Sequence, residues 1–394
     1  MRRLKTGLML MAAMAATALV GVGAGPSGLA AQAATHPADL TSSAPVTVVA
    51  SGLNSPRSLA WGPYGHLLVA EAGTPGSECS DTTCFGLNGS ISDISSGTPV
   101  RIATGLPSYE ESGEVTGPDG LTYADGHVYT LETQSPQAVP SGLPADLTAK
   151  LTQQLGALLD VTGGHTSVVA NPGNVDYQWS QAHQSLAPND FPDANPYALI
   201  HKPGGGFYLV DAASNTLDSV TWSGAAAAGP GQSGTAGGSG QFSAVHVLAF
   251  LPNTPAGSDA VPSCLAVGPD GAVYIGQLTG AGNSSTAANV YRYVPWTGSL
   301  TVWLSGFSAI NGCGFGASGD FYVTEFDTTG FPPSSTPSGD VIQISPGGTR
   351  TVLGAGQLIA PAGFLAGPDG SIYVSNYSVF PGSGSPTGEV VKIG

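Results

Sequence analysis

Apolar residues in this chain alternate with polar ones in short runs, each bracketed by glycine or proline. Runs such as Val273-Tyr-Ile-Gly-Gln277, Phe321-Tyr-Val-Thr-Glu325 and Ile372-Tyr-Val-Ser-Asn376 put every second side chain on one face, the period of a β-strand. A tight turn precedes each of them. The seven residues GPDGAVY at Gly268–Tyr274 return as GPDGSIY at Gly367–Tyr373, and looser copies stand at Gly62–Leu68, Tyr123–Tyr129, Lys202–Tyr208 and Gly316–Tyr322. Glycine holds the fourth position of all six, where a turn calls for positive φ. A short run of small and apolar residues lies ahead of each turn, opened by Pro56, Pro118, Pro196, Pro262 and Pro361 in five of the copies. Buried run, turn and alternating run together predict a hairpin.

A third strand follows each hairpin, at Gly89–Ile94, Gly156–Val161, Asn215–Val220, Ala288–Tyr293, Gly339–Ile344 and Gly388–Ile393. A fourth, β-branched run begins at Pro99, Thr166, Ala244, Leu300 and Thr349, but the sixth copy lacks one because it runs to Gly394. The run Val46–Ala50 has the missing pattern and precedes the first hairpin. Repeats of this length that leave one strand at each end predict an all-β fold: a six-bladed β-propeller of four-stranded blades over 46–394, its ring closed by the N-terminal strand in the C-terminal blade. Two irregular stretches read as additions to that plan. Pro144–Leu155, with leucines at i+4 spacing after a proline, predicts a short surface helix, and the Gly/Ala/Ser-rich stretch 224–240 reads as an insertion in blade three.

Composition narrows the setting. Only 9% of residues are charged, whereas 58 are Gly and 31 are Pro, as turns and short strands require. The basic start (Arg2, Arg3, Lys5), the apolar run to Gly25 and Ala31-Gln32-Ala33 predict a signal peptide at 1–33, a short linker at 34–45 and a secreted protein. A net charge of −16 with ten basic residues, three of them in the leader, excludes nucleic acid as a partner and disfavours anionic membranes. Four cysteines in an exported chain predict two disulfides, Cys79 with Cys84 across a small loop and Cys264 with Cys313; a metal site is the competing reading, but no histidine stands at ligand spacing.

No catalytic motif stands out: HExxH, GxSxG and GxxxxGK[ST] are absent, and the GxGxxG at Gly23–Gly28 falls in the leader region. Binding chemistry is sought where the innermost strands converge. Aligned ahead of the six turns are Arg57, Asp119, Tyr197, Ser263, Asn311 and Ala362, a varied polar ring expected at the channel mouth. A second ring follows the turns at Glu71, Glu132, Asp211, Gln277, Glu325 and Asn376; because it recurs in every copy, it is read as a set of acceptors for backbone N–H groups at strand ends. His66 and His127 share one turn position, which points to the surface. The connector Val175–Tyr197 carries Trp179, Asn195, carboxylates and prolines beyond what a spacer needs, and is read as a loop that either binds a ligand or plugs one face.

That connector also carries a resemblance. Asp176-Tyr-Gln-Trp179, Phe191–Tyr197, Pro203–Gly206 and Val210–Leu217 resemble the ScyD/ScyE family of exported proteins, over nearly all of the chain from Val46. The resemblance implies a six-bladed, NHL-like propeller and no settled activity. More remotely, Gly117-Pro-Asp-Gly120 and Asn311-Gly312 are similar to inner-strand entries of gluconolactonase-type propellers. This implies an alternative function, a hydrolase using Ca²⁺ or another divalent cation at Asp119, Asn195 and Asn311. The glutamate that family carries in blade one has no counterpart, since Asn54 and Arg57 stand there. The leading expectation is a monomeric secreted module without a cofactor that binds a small molecule, glycan or protein, using Arg57, Asp119, Tyr197, Ser263, Asn311, Trp179 and Asn195.

Overall fold

The computed structural model describes residues 40–394 apart from 81, 188–191, 224–240, 255–257, 281–285, 332, 334–335 and 380–387. The expected leader, the first half of the linker, the 224–240 insertion and part of the connector lie outside the described residues.

Among the described residues the strands form six sheets, each built around the strands of one repeat and antiparallel except at one edge strand. The turn glycines behave as their chemistry requires: Gly271 and Gly370 take φ of 77° and 85°, a region that a Cβ penalises. Sheet two holds Pro118–Ala124, His127–Glu132, Leu158–Asp160 and Ser167–Ala170. Sheet three is Pro196–His201, Phe207–Asp211, Thr216–Ser223 and Gln241–Phe250, and sheet four is Pro262–Val267, Val273–Gln277, Ala288–Val294 and Ser299–Phe307. Sheet five runs Ile310–Phe315, Phe321–Glu325, Ser338–Ile344 and Arg350–Ile359; Leu40–Thr41, from the expected linker, adds to its outer edge in parallel. Sheet one begins with Pro56–Trp61, Leu67–Glu71, Thr83–Asp93 and Val100–Glu111. It departs from the plan by two short strands, Glu78–Ser80 and Glu114–Thr116.

Sheet six contains Phe364–Ala366, Ile372–Asn376 and Gly388–Ile393, and its fourth strand is Val46–Leu53 from the other end of the chain, with Val46 opposite Ile393 and Val48 opposite Val391. The first strand of each sheet packs beside the first strand of the next, and that of sheet six beside that of sheet one. Close approach there demands glycine. A Cβ on Gly312 would meet Ala362 O at 2.3 Å, and one on Gly363 would meet Arg57 O at 2.4 Å.

The core is divided among the spaces between neighbouring sheets. Leu68, Ile91, Leu121 and Leu159 fill the space between sheets one and two, and Val323, Ile342, Phe307 and Val290 that between four and five. Each such side chain contributes about 1.5–3 kcal/mol by leaving water, so every sheet depends on two neighbours. Both disulfides are formed, Cys79–Cys84 in the hairpin of sheet one and Cys264–Cys313 between the first strands of sheets four and five.

Two helices interrupt the strands. α1 (Ala145–Gln154) is the helix the leucine spacing predicts, but it is not confined to the surface: Leu151 and Leu155 are buried against Phe85 and Tyr109 of sheet one. α2 (Pro172–Ala182) occupies a stretch that includes the start of the presumed loop connector. Asn171 caps it by accepting from Asn174 N at 2.8 Å, with Pro172 in the first turn, a pairing that favours helix initiation.

Candidate functional site

The first strands of the six sheets line a cavity of about 350 Å³. Its two ends differ. Where these strands begin, Arg57, Asp119, Tyr197, Ser263 and Asn311 are at most 4% exposed. Where they end, Trp61, Tyr123, Ile200, Val267, Phe315 and Ala366 are half-buried, so the cavity is closed at the polar end and opens toward the Gly-x-x-Gly turns. Leu59, Leu121, Leu199 and Leu265 form much of the wall, with Ser58, Thr122, Ser263 and Asn311 the polar contributions.

At the closed end a buried polar cluster joins four sheets. Arg57 donates through Nη2 to Val115 O at 2.5 Å and through Nη1 toward Tyr197 Oη at 3.5 Å. Its Nε lies 3.8 Å from Asp119 Oδ2 and its Nη2 3.9 Å from Glu114 Oε1. Tyr197 passes the chain on, donating to Asn311 Oδ1 at 2.8 Å. An arginine only donates, which sets the direction from Arg57 through Tyr197 to the amide oxygen of Asn311. Ser263 takes another course, donating to Ile310 O at 2.6 Å. Ala362, the apolar member of the aligned set, is also buried.

Burial dominates the electrostatics. It pushes the Asp119 carboxyl up to about 7, with the Arg57 guanidinium pulling the other way. Glu114 is likewise raised to about 7 by burial, with Arg57 opposing and Asp119 adding to the rise. The Tyr197 hydroxyl is raised by burial and by Asp119. One cation therefore faces two carboxyls whose charged forms burial disfavours.

The remaining expected site residues lie elsewhere. Trp179, on α2, stacks on His183 at 4.3 Å and leans on Phe250 of the outermost strand of sheet three. Asn195 Oδ1 accepts from Gln134 N at 2.9 Å, tying sheet three to sheet two. The second ring consists largely of backbone acceptors. Glu71 accepts from Asn54 N, Asp211 from Asn195 N, Gln277 from Asn289 N, Glu325 from Ser308 N and Asn376 from Ile359 N, at 2.6–3.1 Å. Glu132 departs from the pattern: it is buried, neither oxygen has a hydrogen-bond partner among the described residues, and burial holds its carboxyl well above the ordinary range. His66 and His127 stand on the turn face beside Asp93 and Asp160.

Two members of the axial group escape a reading by alignment. Glu114 comes from the extra hairpin of sheet one, which has no counterpart in the other sheets among the described residues. Ser58 adjoins Arg57 and differs in being half-buried and lining the cavity; its only sequence signal is adjacency to an aligned position.

A divalent cation does not fit Asp119, Asn195 and Asn311. The amide oxygens of Asn195 and Asn311 are taken by Gln134 and Tyr197, and the Arg57 guanidinium sits beside Asp119. Among the described residues no group of three or more His, Cys, Asp or Glu side chains is arranged to hold a metal ion.

No protein-family model and no curated protein sequence matches the chain. Solved structures do resemble it. A gluconolactonase from Xanthomonas campestris superposes with a TM-score of 0.50 at 9% identity, over 89% of this chain and 90% of that one. A putative gluconolactonase gives 0.49 at 12% identity over 91% and 96%, and the PQQ-bound aldose sugar dehydrogenase of Streptomyces coelicolor 0.49 at 13% over 89% and 97%. At such identities the likeness is one of fold, and the chain is a β-propeller protein.

Proposed function

We propose that this protein is a secreted six-bladed propeller of ScyD/ScyE type, closed by Val46–Leu53, that acts as a monomeric binding module for a small molecule in its axial cavity. The observation that carries this reading is the cavity itself: leucine walls, a buried polar end and an opening on the turn face, the combination that defines ligand sites in general. Pairing of Val46–Leu53 with Gly388–Ile393 supports closure. Export is supported by the two disulfides and is compatible with the lack of any described helix long and apolar enough to cross a membrane. Trp179 and Asn195 belong to the scaffold in this reading, and Arg57, Asp119, Tyr197, Ser263 and Asn311 to the site.

A screen of metabolites and glycan fragments by thermal shift, repeated on Thr122→Trp, tests it. Thr122 is half-buried and lines the cavity, so an indole there fills space without replacing a core side chain. Hits stabilise the native chain by mass action and are expected to lose at least about tenfold in affinity, the equivalent of 1.4 kcal/mol, in the variant. Hits that bind both proteins equally would place the ligand elsewhere.

A further inference from the structure

Charge is kept out of the axial cavity. None of the described residues that line it is Asp, Glu, Lys, Arg or His. Arg57, Glu114 and Asp119, at its closed end, are at most 4% exposed and take no part in the lining. Of the aligned polar set only Ser263 and Asn311 reach the wall, and both are engaged: Ser263 donates to Ile310 O, and Asn311 Oδ1 accepts from Tyr197. An ion entering such a space sheds its hydration and meets no counter-charge, which is costly.

What the wall offers instead is flat rings. Trp61, Phe315 and Phe364 line the cavity, half-buried, and each is held by groups outside the lining. Trp61 meets Tyr373 edge-on at 5.5 Å and donates through Nε1 to Ala366 O at 2.8 Å. Phe315 lies 5.0 Å from Tyr274 and 4.9 Å from Phe321, and Phe364 stacks on Tyr322 at 5.1 Å with the planes 20° apart. The three come from sheets one, five and six, which are neighbours around the axis, so they form one arc of the wall. Leu121, Leu199 and Leu265, from sheets two, three and four, form the arc opposite. Rings fixed before a ligand arrives need no further ordering when it binds.

We propose that the axial cavity takes an uncharged compound built on a flat aromatic ring system, seated between the aromatic and leucine arcs, and rejects charged compounds of the same shape. The assignment rests on the cavity being the ligand site. Arg57 and Tyr197 serve it without touching the ligand, by fixing the Asn311 amide in the wall. The rejection of charge is a property of the lining and is distinct from repulsion by the acidic surface, whose net charge of −16 acts at long range and is screened by salt.

The test is fluorescence titration of the native chain with two probes on one skeleton, N-phenyl-1-naphthylamine and its sulfonated relative 8-anilinonaphthalene-1-sulfonate, in about 0.15 M and about 1 M NaCl. The neutral probe is expected to bind one to one, and the sulfonate at least about tenfold more weakly at both salt concentrations. Thr122→Trp should weaken the neutral probe at least about tenfold, whereas Thr122→Lys, which brings a cation into the lining, should shift the preference toward the sulfonate. Displacement of the neutral probe by 2-naphthol and by decahydro-2-naphthol tests the demand for a flat ring: the aromatic alcohol should compete about fivefold better, although its puckered relative is the more hydrophobic. Equal affinity for the two probes, or a preference that vanishes in 1 M salt, would overturn selection by an uncharged lining. Equal competition by the two alcohols would overturn the aromatic requirement. No binding of the neutral probe, while screening hits still depend on Thr122, would overturn this inference and leave the binding reading intact. Neutral-probe binding that survives Thr122→Trp would overturn it too, and both readings fall if the screening hits also survive that substitution.

Discussion

A guanidinium withdrawn from water costs several kcal/mol unless charges and hydrogen bonds replace its hydration. Arg57 is given Val115 O, Tyr197, Asp119 and Glu114, yet among the described residues its Nε has no hydrogen-bond partner and neither does Glu114 Oε1. The carboxyls absorb the mismatch, since burial raises Asp119 and Glu114 to about 7 from ordinary values of 3.8 and 4.5. Groups whose folded pKa is raised stabilise the fold fully below their unfolded values, and that contribution disappears as pH rises through the folded ones. The protein is therefore expected to melt at a higher temperature at pH 5 than at pH 8. The double variant Asp119→Asn, Glu114→Gln should flatten much of that dependence between pH 5 and 8, as read by calorimetry across the series; an unchanged slope would show that these carboxyls do not govern it. Asp176, Asp211 and Asp218, three buried carboxyls with one another as neighbours, are raised by burial too and account for part of the remaining slope.

At the scale of elements, the axis is held by strands that scarcely pair with one another across it. Each innermost strand hydrogen-bonds outward within its own sheet, so adjacent sheets meet through side chains, glycine contacts and, at one seam, the Cys264–Cys313 bond. That bond closes a loop over a sequence separation of 49, for which chain entropy predicts about 4 kcal/mol. Replacing both cysteines by serine is expected to lower stability by about that amount in urea unfolding, with the m-value nearly unchanged. A loss well under 1 kcal/mol would mean that the packing of Ala266, Phe307 and Ile310 around the seam already holds sheets four and five. The extra hairpin of sheet one acts differently, reaching inward so that Glu114 and Val115 close the polar end of the axis.

For the whole molecule, the two chain ends are joined in one sheet. Val46–Leu53 supplies the outer strand of sheet six, and Ala50 and Leu53 pack with Leu59, Val69 and Val390. Removing residues 46–50 strips most of a strand whose loss exposes the edge of Gly388–Ile393 and the seam between sheets six and one. Because each sheet leans on two neighbours, the cost is expected to spread: a lower and broader melting transition and more exchange of backbone amides in both sheets, measured by hydrogen exchange. Retention of a native-like cooperative melt by the truncated chain would refute closure as a source of stability.

The sequence by itself determined the units of this fold, because they rest on local requirements. Glycine at the fourth turn position, alternation in strands such as Phe321–Glu325 and the acceptor after each turn are demands of a single hairpin, and they recur in every repeat. Helix α2 was hidden because Asp176-Tyr-Gln-Trp179 has no apolar stripe at helical spacing; only Asn171 and Pro172 announce it. What the tertiary structure decided is who meets whom. The alignment brought Arg57, Asp119, Tyr197 and Asn311 to one level, but that this level lies buried, with Val115 of an extra hairpin accepting from Arg57, is decided by the packed sheets. Ser58 and Gly363 line one cavity only because strands more than three hundred residues apart in the chain converge there, and the burial that raises the Asp119 and Glu114 carboxyls is a property of that convergence, not of any one segment.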